Sequence, residues 1–147
     1  MKKVKVITDG GCIGNPGPGG WACIIRYGDQ AKELVGSERE TTNNRMELRA
    51  AIEGLKALKE PCDVTITADS QYVIKGITEW IQGWKRRDWI KPDKQPVLNK
   101  DLWMELDFQV DRHTVKWEWT KGHANHADNN RCDELANGAA RAAAKGK

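Results

Sequence analysis

The hydrophobic and polar positions of the chain follow two periods, and each period predicts a different kind of element. Segments in which apolar and polar residues alternate, bounded by glycine, proline or polar turn residues, predict β-strands. The predicted strands cover residues 4–9, 21–28, 31–38, 63–69 and 114–119. Gly28 and Asp29 supply a hairpin-turn signal between the second and third strands.

Apolar residues at three- and four-residue intervals predict the helices. The clearest stripe predicts a helix over about residues 43–59, preceded by polar cap candidates and followed by Pro61. Its members are Leu48, Ala51, Ile52, Leu55 and Leu58. The same reasoning predicts a short helix from Gln71, a second helical piece near residues 80–87, a helix from about Lys100, and a last helix that contains Cys132.

The order of these elements predicts an α/β fold. The first three strands have short connections and should be antiparallel, whereas strands joined through helices should be parallel with right-handed crossovers. We therefore expect a mixed five-stranded sheet with helices on both faces. In such sheets, functional sites form outside the carboxyl ends of the parallel strands.

Composition adds a class and a location to this picture. The chain has 147 residues, of which 31% are charged and 39% hydrophobic, so we expect one ordinary globular domain spanning residues 1–147. No apolar run is long enough to cross a membrane, and we expect a cytoplasmic protein without a membrane partner. The four cysteines form no C-x-x-C pair and are predicted to be reduced thiols.

Carboxylates at element boundaries are the first candidates for chemistry. Asp9 and Asp69 end predicted strands that should lie side by side, Glu47 falls in the first turns of the long helix, and Asp133 lies near the start of the last helix. Clustered hard oxygen ligands suit Mg²⁺ or Mn²⁺. Each residue taken alone is also explained as a turn, cap or solvated helix acid, so both interpretations stay open at this point.

The segment "GGCIGNPGPGG", residues 10–20, is predicted to be a loop through which no strand continues. It lacks the Gly-Lys-Ser/Thr ending of a P-loop, and no helix follows it, so nucleotide binding is disfavoured. Its glycines indicate tight turns or a close approach of the backbone to a ligand.

Taken together, these motifs resemble those of bacterial type 1 ribonuclease H. The matching blocks span nearly the whole chain and contain all four carboxylates: "TDGGCIGNPGPGGWA", "TTNNRMEL", "TADSQYV", "WKRRDW" and "RCDELA". The resemblance implies the ribonuclease H-like fold and endonucleolytic hydrolysis of the RNA strand of RNA–DNA hybrids, with 5′-phosphate and 3′-hydroxyl products.

The resemblance also assigns roles to individual residues. Asp9, Glu47, Asp69 and Asp133 correspond to carboxylates that bind two Mg²⁺ ions, and Mn²⁺ is expected to support activity as well. His123 corresponds to a mobile histidine that assists proton transfer or product release. The backbone of Gly10, Gly11 and Cys12, together with Gln71 and Glu47, corresponds to RNA-strand contacts. The positions expected to face the DNA strand are Asn15, Thr42, Asn43 and Asn44.

A basic protrusion at about residues 80–101 corresponds to a second substrate-binding region. Six cations and two acids lie between Trp84 and Lys100, which is more positive than the chain's net charge of +3 would suggest. Cations among tryptophans suit phosphates and sugars, although a tryptophan at helical spacing is also explained as core. The expected contacts are Trp80, Lys85, Arg86 and Arg87.

Two departures from the family pattern and two alternatives accompany this hypothesis. Gly11 stands where many members have serine, and Asn125 and Ala127 stand where relatives have glycine and proline, which puts the flexibility of the His123 loop in question. His123 and His126 with Cys132 also suggest zinc, but their spacing is poor. A non-catalytic hybrid-binding module is the main alternative function, and an integrase-type nuclease would need more chain. We expect a monomer without an obligatory protein partner.

Overall fold

The computed structural model describes residues 1–120 and 127–146. Its sheet has five strands in the spatial order β3-β2-β1-β4-β5. The pairs β1–β2 and β2–β3 are antiparallel, and β1–β4 and β4–β5 are parallel, which confirms the predicted mixed sheet. The strands are β1 (Lys2–Cys12), β2 (Gly17–Tyr27), β3 (Gln30–Thr41), β4 (Cys62–Ala68) and β5 (Thr114–Trp119).

The first hairpin is longer than the alternation predicts. Strand β1 continues to Cys12 and β2 begins at Gly17, so the loop predicted over residues 10–20 was too long and covers only residues 13–16. Gly11 pairs with Gly20, and Cys12 pairs with Gly19. Glycine weakens a strand without forbidding it, and here the neighbouring strand supplies the register that the local sequence does not indicate.

In the described residues the sheet is accompanied by the α-helices α1 (Asn43–Lys56), α2 (Gln71–Lys75), α3 (Ile81–Arg86), α4 (Lys100–Asp111) and α5 (Ala127–Lys145). Helix α1 begins after the cap residue Thr42, whose side chain accepts a hydrogen bond from the Arg45 amide, and it ends at Lys56, earlier than predicted. Leu48, Ile52 and Leu55 are fully buried in the main core. The predicted apolar stripe is therefore the face that packs on the sheet.

The two helical pieces predicted after Gln71 form one helical stretch in the structure. A π-helical turn, Gly76–Trp80, joins α2 to α3. A side chain at Gly76 would overlap the indole ring of the buried Trp103 on α4, so only glycine lets the two elements approach this closely. This contact explains why glycine stands at position 76.

Helix α5 covers part of the opposite face of the sheet. Its buried Cys132 lies with Ile7 and Ile24 in a second, smaller core, and the Cys132 thiol donates to the Ile7 carbonyl at 3.3 Å. Because Val6 faces α1 and its neighbour Ile7 faces α5, helices lie on both faces, as predicted. All four cysteines are free thiols in the described part of the chain. No described helix is long and apolar enough to cross a membrane.

Candidate active site

Three of the four predicted carboxylates converge at one edge of the sheet. Asp9, Glu47 and Asp69 each offer an oxygen, and these oxygens lie within 4.8 Å of one another. Asp69 directly follows β4, and Thr8 of β1 pairs with Ala68 of β4, so the two aspartates emerge side by side. Asp9 lies inside β1 and not at its end, which corrects the predicted strand boundary.

Gly10 explains how Glu47 reaches this edge. A Cβ atom at Gly10 would lie only 2.6 Å from the backbone nitrogen of Glu47, on the first turns of α1. Glycine therefore lets the start of α1 contact the backbone of β1 directly beside Asp9. Gly11 has no such constraint, since a Cβ there would lie 3.8 Å from the Asn43 side-chain oxygen. The second glycine is thus sterically replaceable.

Glu47 is not a capping acid, because the cap of α1 is Thr42 and its side chain serves the Arg45 amide. The alternative that Glu47 merely serves a helix cap is therefore wrong. In contrast, Ser70 is a cap, since its hydroxyl accepts from the Val73 amide and starts α2. The turn at residues 69–70 thus combines a structural cap with a clustered carboxylate.

Burial and mutual repulsion disfavour the ionised forms of Asp9 and Glu47. Burial first, and then the negative charges of Asp69 and Asp133, together raise the pKa of Asp9 to about 8, against one hydrogen bond from the Gly10 amide. Burial and the same repulsion from Asp69 and Asp9 hold the pKa of Glu47 well above its ordinary value. Three such groups close together are stable as anions only with a compensating cation.

The donor set fits a hard divalent cation. Among the described residues, the buried oxygens Asp9 Oδ2 and Asp69 Oδ1 have no hydrogen-bond partner. Buried carboxylate oxygens without donors are costly in a protein alone but are the ligands that Mg²⁺ and Mn²⁺ prefer. Neither cysteine nor histidine belongs to the described cluster, so its chemistry matches these ions and not zinc.

Asp133 lies at the rim of this cluster. It is exposed on α5, and it raises the pKa of Asp9 through its negative charge and through a hydrogen bond that forms only when one of the two carboxyls is protonated. It is not one of the three groups whose oxygens meet within 4.8 Å. The sequence therefore predicts that Asp133 lies near the other three carboxylates, and the structure shows that it is more exposed than they are.

The sequence analysis missed a residue that holds Asp69 in place. The indole N–H of Trp119 donates to the backbone carbonyl of Asp69 at 3.2 Å, and the Thr120 amide donates to the Ala68 carbonyl at 3.0 Å. Trp119 was predicted only as the last residue of a strand. Its position two strands from Asp9 becomes informative only when β4 and β5 are known to pair.

The residues expected to contact substrate form a connected group beside the cluster. The Cys12 amide donates to the Asn43 side-chain oxygen at 2.7 Å, and the Asn43 amide donates to the Asn15 side-chain oxygen at 3.1 Å. Thr42 caps the same helix, Asn44 is exposed, and Gln71 is exposed at the start of α2. Asn43 is thus a bridge between the hairpin and α1, whatever else it contacts.

The segment expected to form the protrusion rests on an aromatic row. The rings of Trp80 and Trp84 lie 6.0 Å apart, and Trp84 in turn contacts Trp89 and the buried Trp103. Trp80 itself is 39% exposed, so part of its ring is accessible to a ligand. Lys85 pairs with Asp107 of α4 at 3.1 Å, whereas Arg86 and Arg87 are exposed.

His123 lies outside the described residues, as do Asn125 and His126. Its predicted role in proton transfer or product release, and the zinc alternative that uses both histidines, therefore stay predictions. Cys132, the third member of that alternative, is buried in the small core and donates to a backbone carbonyl.

The sheet topology and the carboxylate edge define a class before any comparison is made. A mixed sheet with acids at the ends of adjacent parallel strands, suited to hard divalent cations, is typical of a metal-dependent phosphoryl-transfer enzyme. The comparisons with known proteins are specific. A family model for RNase H matches residues 1–141.

Curated relatives and solved structures agree with this match. Ribonuclease H of Solibacter usitatus is 65% identical over 145 residues, covering 99% of both chains, and that of Aeromonas hydrophila is 56% identical, covering 100% of this chain and 93% of the other. LC9-RNase H1, a type 1 RNase H with the type 2 active-site motif, is 34% identical with a TM-score of 0.87, covering 97% of this chain and 74% of its own. The chain therefore belongs to the RNase H family and is an enzyme of the ribonuclease H class.

Proposed function

We propose that this chain hydrolyses the RNA strand of RNA–DNA hybrids internally and leaves 5′-phosphate and 3′-hydroxyl ends. The observation that carries the proposal is the cluster of Asp9, Glu47 and Asp69, in which the buried oxygens Asp9 Oδ2 and Asp69 Oδ1 have no hydrogen-bond partner among the described residues. Family membership supports the substrate class, since relatives at 56–65% identity bear the name Ribonuclease H.

The cluster would hold the divalent cations that the reaction needs, Mg²⁺ by preference and Mn²⁺ as a substitute. Asp9, Glu47 and Asp69 are the proposed ligands, and Asp133 at the rim is the proposed fourth. Two such ions, when bound, lower the pKa of water and neutralise charge on the leaving oxygen. The donor set of oxygens only, and its excess negative charge, support this assignment.

The chain's own residues supply position and proton handling. Asp69 is held through its backbone by Trp119, and Glu47 is held by the contact of α1 with Gly10, so the carboxylates are oriented before substrate binds. We assign proton transfer or product release to His123, as its motif implies. A general acid or base contributes typically about 100- to 10,000-fold to a rate, so loss of His123 should slow turnover less than loss of the cluster.

Recognition of the RNA strand is assigned to the backbone of residues 10–12 with Gln71 and Glu47. The 2′-hydroxyl both donates and accepts hydrogen bonds, and it distinguishes RNA from DNA at such a surface. We assign the DNA strand to Asn15, Thr42, Asn43 and Asn44. The hydrogen bonds that join Cys12, Asn43 and Asn15 support a common surface, because they fix the hairpin and the start of α1 relative to each other.

The segment of residues 80–101 is the proposed protrusion for the DNA strand, with Trp80, Lys85, Arg86 and Arg87 as contacts. The exposed ring of Trp80 and the exposed guanidinium groups support this. The Lys85–Asp107 pair implies that Lys85 contributes less to phosphate binding than the two arginines. We further propose that residues 1–147 form one ribonuclease H domain that acts as a cytoplasmic monomer.

A cleavage assay tests the main proposal. The protein is incubated with an end-labelled RNA–DNA hybrid and Mg²⁺, with EDTA in a parallel reaction, and with DNA–DNA and RNA–RNA duplexes as substrate controls. We expect internal cleavage of RNA in the hybrid alone, abolished by EDTA and by Asp9→Asn. Asp63→Asn, at the other end of the same strand pair, is the matched control and should retain activity. Hybrid binding without cleavage would support the non-catalytic alternative.

Replacing Arg86 and Arg87 with alanine tests the protrusion. We expect a higher KM, an unchanged kcat and a shallower dependence of KM on salt, since each lost phosphate contact removes counterion release of about one ion. The measurement is KM over a range of salt concentrations. Lys85→Ala is the comparison and should have the smaller effect because of its pair with Asp107. An unchanged salt slope in the double variant would reject the arginines as phosphate contacts.

A further inference from the structure

A second charged surface lies on the same sheet, at the end opposite the carboxylates. Helix α5 covers the face of the sheet around Ile7 and Ile24, but the amino-terminal half of β1 and β4 on that face is open. A cavity of about 530 Å³ lies there. Four cations and one acid line it: Lys3, Lys5, Arg26, Lys116 and Asp63.

The strand register places three of these cations in one row across the sheet. Lys5 of β1 lies directly opposite Arg26 of β2, and on its other side Thr65 of β4 separates it from Lys116 of β5. Neighbouring strands are about 4.8 Å apart, so the row spans about 14 Å. Like charges directly opposite one another destabilise a sheet. An anion that lies over the row would relieve this repulsion.

Within the described part of the chain, one cation of this row is neutralised by an ion pair and the two lysines are not. Arg26 forms a bidentate pair with Asp128, at 2.5 and 2.7 Å. Lys3, Lys5 and Lys116 have no ion pair with another described residue at 4.0 Å or less. The acids that face the surface are Asp63, paired in register with Lys3, and Glu118, which follows Lys116 on the same side of β5 and accepts from Thr67.

The lining limits the kind of anion that fits. No aromatic side chain and only one sizeable apolar side chain, that of Val4, line the described cavity, so neither stacked bases nor a peptide side chain would find an anchor. The remaining fit is a compact anion whose charges are close together, and phosphate groups joined in a short chain meet that description.

We propose that this cavity is a binding site for an oligophosphate group, distinct from the carboxylate edge. Lys3, Lys5 and Lys116 bind its oxygens. Arg26, which is held by its ion pair with Asp128, lines one side of the cavity. The group comes either from inorganic oligophosphate or from the phosphate tail of a nucleotide, since both present the same charges. The site is independent of the hydrolytic function proposed above, because Lys5 lies four residues, about 13 Å, along β1 from Asp9.

Calorimetric titration of metal-free protein tests the site. Tripolyphosphate, ATP and adenosine are titrated in EDTA at low salt, so that cations held by the carboxylates do not contribute. We expect tripolyphosphate to bind and adenosine not to bind. Binding of ATP as well assigns the site to any phosphate tail, and failure of ATP alone assigns it to inorganic oligophosphate. Absence of tripolyphosphate binding at millimolar concentration would overturn the proposal.

A charge-matched pair of variants locates the binding. The triple variant Lys3→Gln, Lys5→Gln, Lys116→Gln should bind tripolyphosphate at least about tenfold more weakly. The control triple variant Lys56→Gln, Lys59→Gln, Lys145→Gln loses the same charge elsewhere and should bind like the wild type. Equal weakening in both would mean unspecific attraction and would overturn the site. Tighter binding of single-stranded DNA or of an acidic peptide, lost only in the first variant, would also overturn the assignment to oligophosphate.

Discussion

The two ends of the β1–β4 strand pair carry opposite charges, and burial makes the two clusters behave differently. At the carboxyl end, Asp9, Glu47 and Asp69 have oxygens within 4.8 Å, and burial raises the pKa of Asp9 to about 8. At the amino end, Lys3 and Lys5 are exposed to water. Water and salt screen exposed charges and hardly screen buried ones.

This difference in burial determines which cluster requires a ligand. Repulsion among the buried acids is relieved by protonation or by a cation, and at neutral pH a cation is the better partner. Repulsion among the exposed lysines is weak enough to persist without a ligand, because exposed pairs are worth only about 0–1 kcal/mol. The acidic cluster therefore destabilises the folded protein unless a cation is bound, whereas the basic cluster is tolerated with or without a bound anion.

The largest expected effect is on the stability of the metal-free protein at the acidic end. Because the folded-state pKa of Asp9 is raised, the folded protein binds more protons than the unfolded chain, and its contribution to stability falls as pH rises from about 4 to about 8. Asp9→Asn removes this penalty. We expect it to stabilise the EDTA-treated protein by about 1–3 kcal/mol at pH 8 and hardly at pH 4.

Urea denaturation at both pH values measures this difference. Asp63→Asn at the amino end of β4 is the control and should show a much smaller change. Adding Mg²⁺ should stabilise the wild type more than Asp9→Asn, since the cation binds the folded cluster only. Equal stability of wild type and Asp9→Asn in EDTA at pH 8 would contradict the account of buried repulsion.

The next effect concerns the contact that brings Glu47 to the cluster. Gly10→Ala introduces a Cβ atom 2.6 Å from the Glu47 nitrogen, so α1 must shift away from β1. We expect a loss of about 1–3 kcal/mol of stability, typical of overpacking, together with weaker Mg²⁺ binding. Gly11→Ala makes the same chemical change with a 3.8 Å contact and should be nearly neutral in thermal unfolding.

A smaller effect is expected at the residue that holds Asp69. Trp119→Phe keeps an aromatic ring and removes the hydrogen bond to the Asp69 carbonyl, which is worth about 0.5–1.5 kcal/mol. We expect Mg²⁺ affinity measured by calorimetry to fall about 3- to 10-fold, with KM for the hybrid unchanged. Trp117→Phe, two residues earlier and packed on the main core, is the matched control. If Trp119→Phe lowered stability but left Mg²⁺ affinity unchanged, its role would be structural only.

The smallest effect is expected at the basic end. Lys5→Gln removes a charge that lies opposite Arg26 and should stabilise the ligand-free protein by about 0.2–1 kcal/mol. Lys3 lies opposite Asp63 in the strand register. Lys3→Gln therefore removes a charge next to an acid and should leave the stability unchanged or slightly lower. Both differences should shrink as salt is added to the unfolding measurement. Destabilisation by Lys5→Gln would show that the row is not repulsive.

Much of the site could be predicted from the sequence, and each wrong or missed prediction has a physical cause. Alternation identified β4 and β5 to within one residue because less exposed positions alternate with more exposed ones all along β4 and over residues 114–118 of β5. The first hairpin was predicted too short because glycines carry no hydrophobic signal, although the neighbouring strand pairs with them. Trp119 escaped notice because its hydrogen bond joins residues fifty positions apart.

The sequence alone was sufficient to predict the strands and helices, to recognise the family motifs and to identify the candidate carboxylates, because hydrophobic periodicity and residue chemistry are local properties. Only the tertiary structure decided that Asp9, Glu47 and Asp69 meet while Asp133 remains at the rim, because that depends on how closely α1 and α5 approach the sheet. The same holds for the basic row, whose members come from β1, β2 and β5. Charges far apart in sequence repel or cooperate only after strand pairing brings them within a few ångströms.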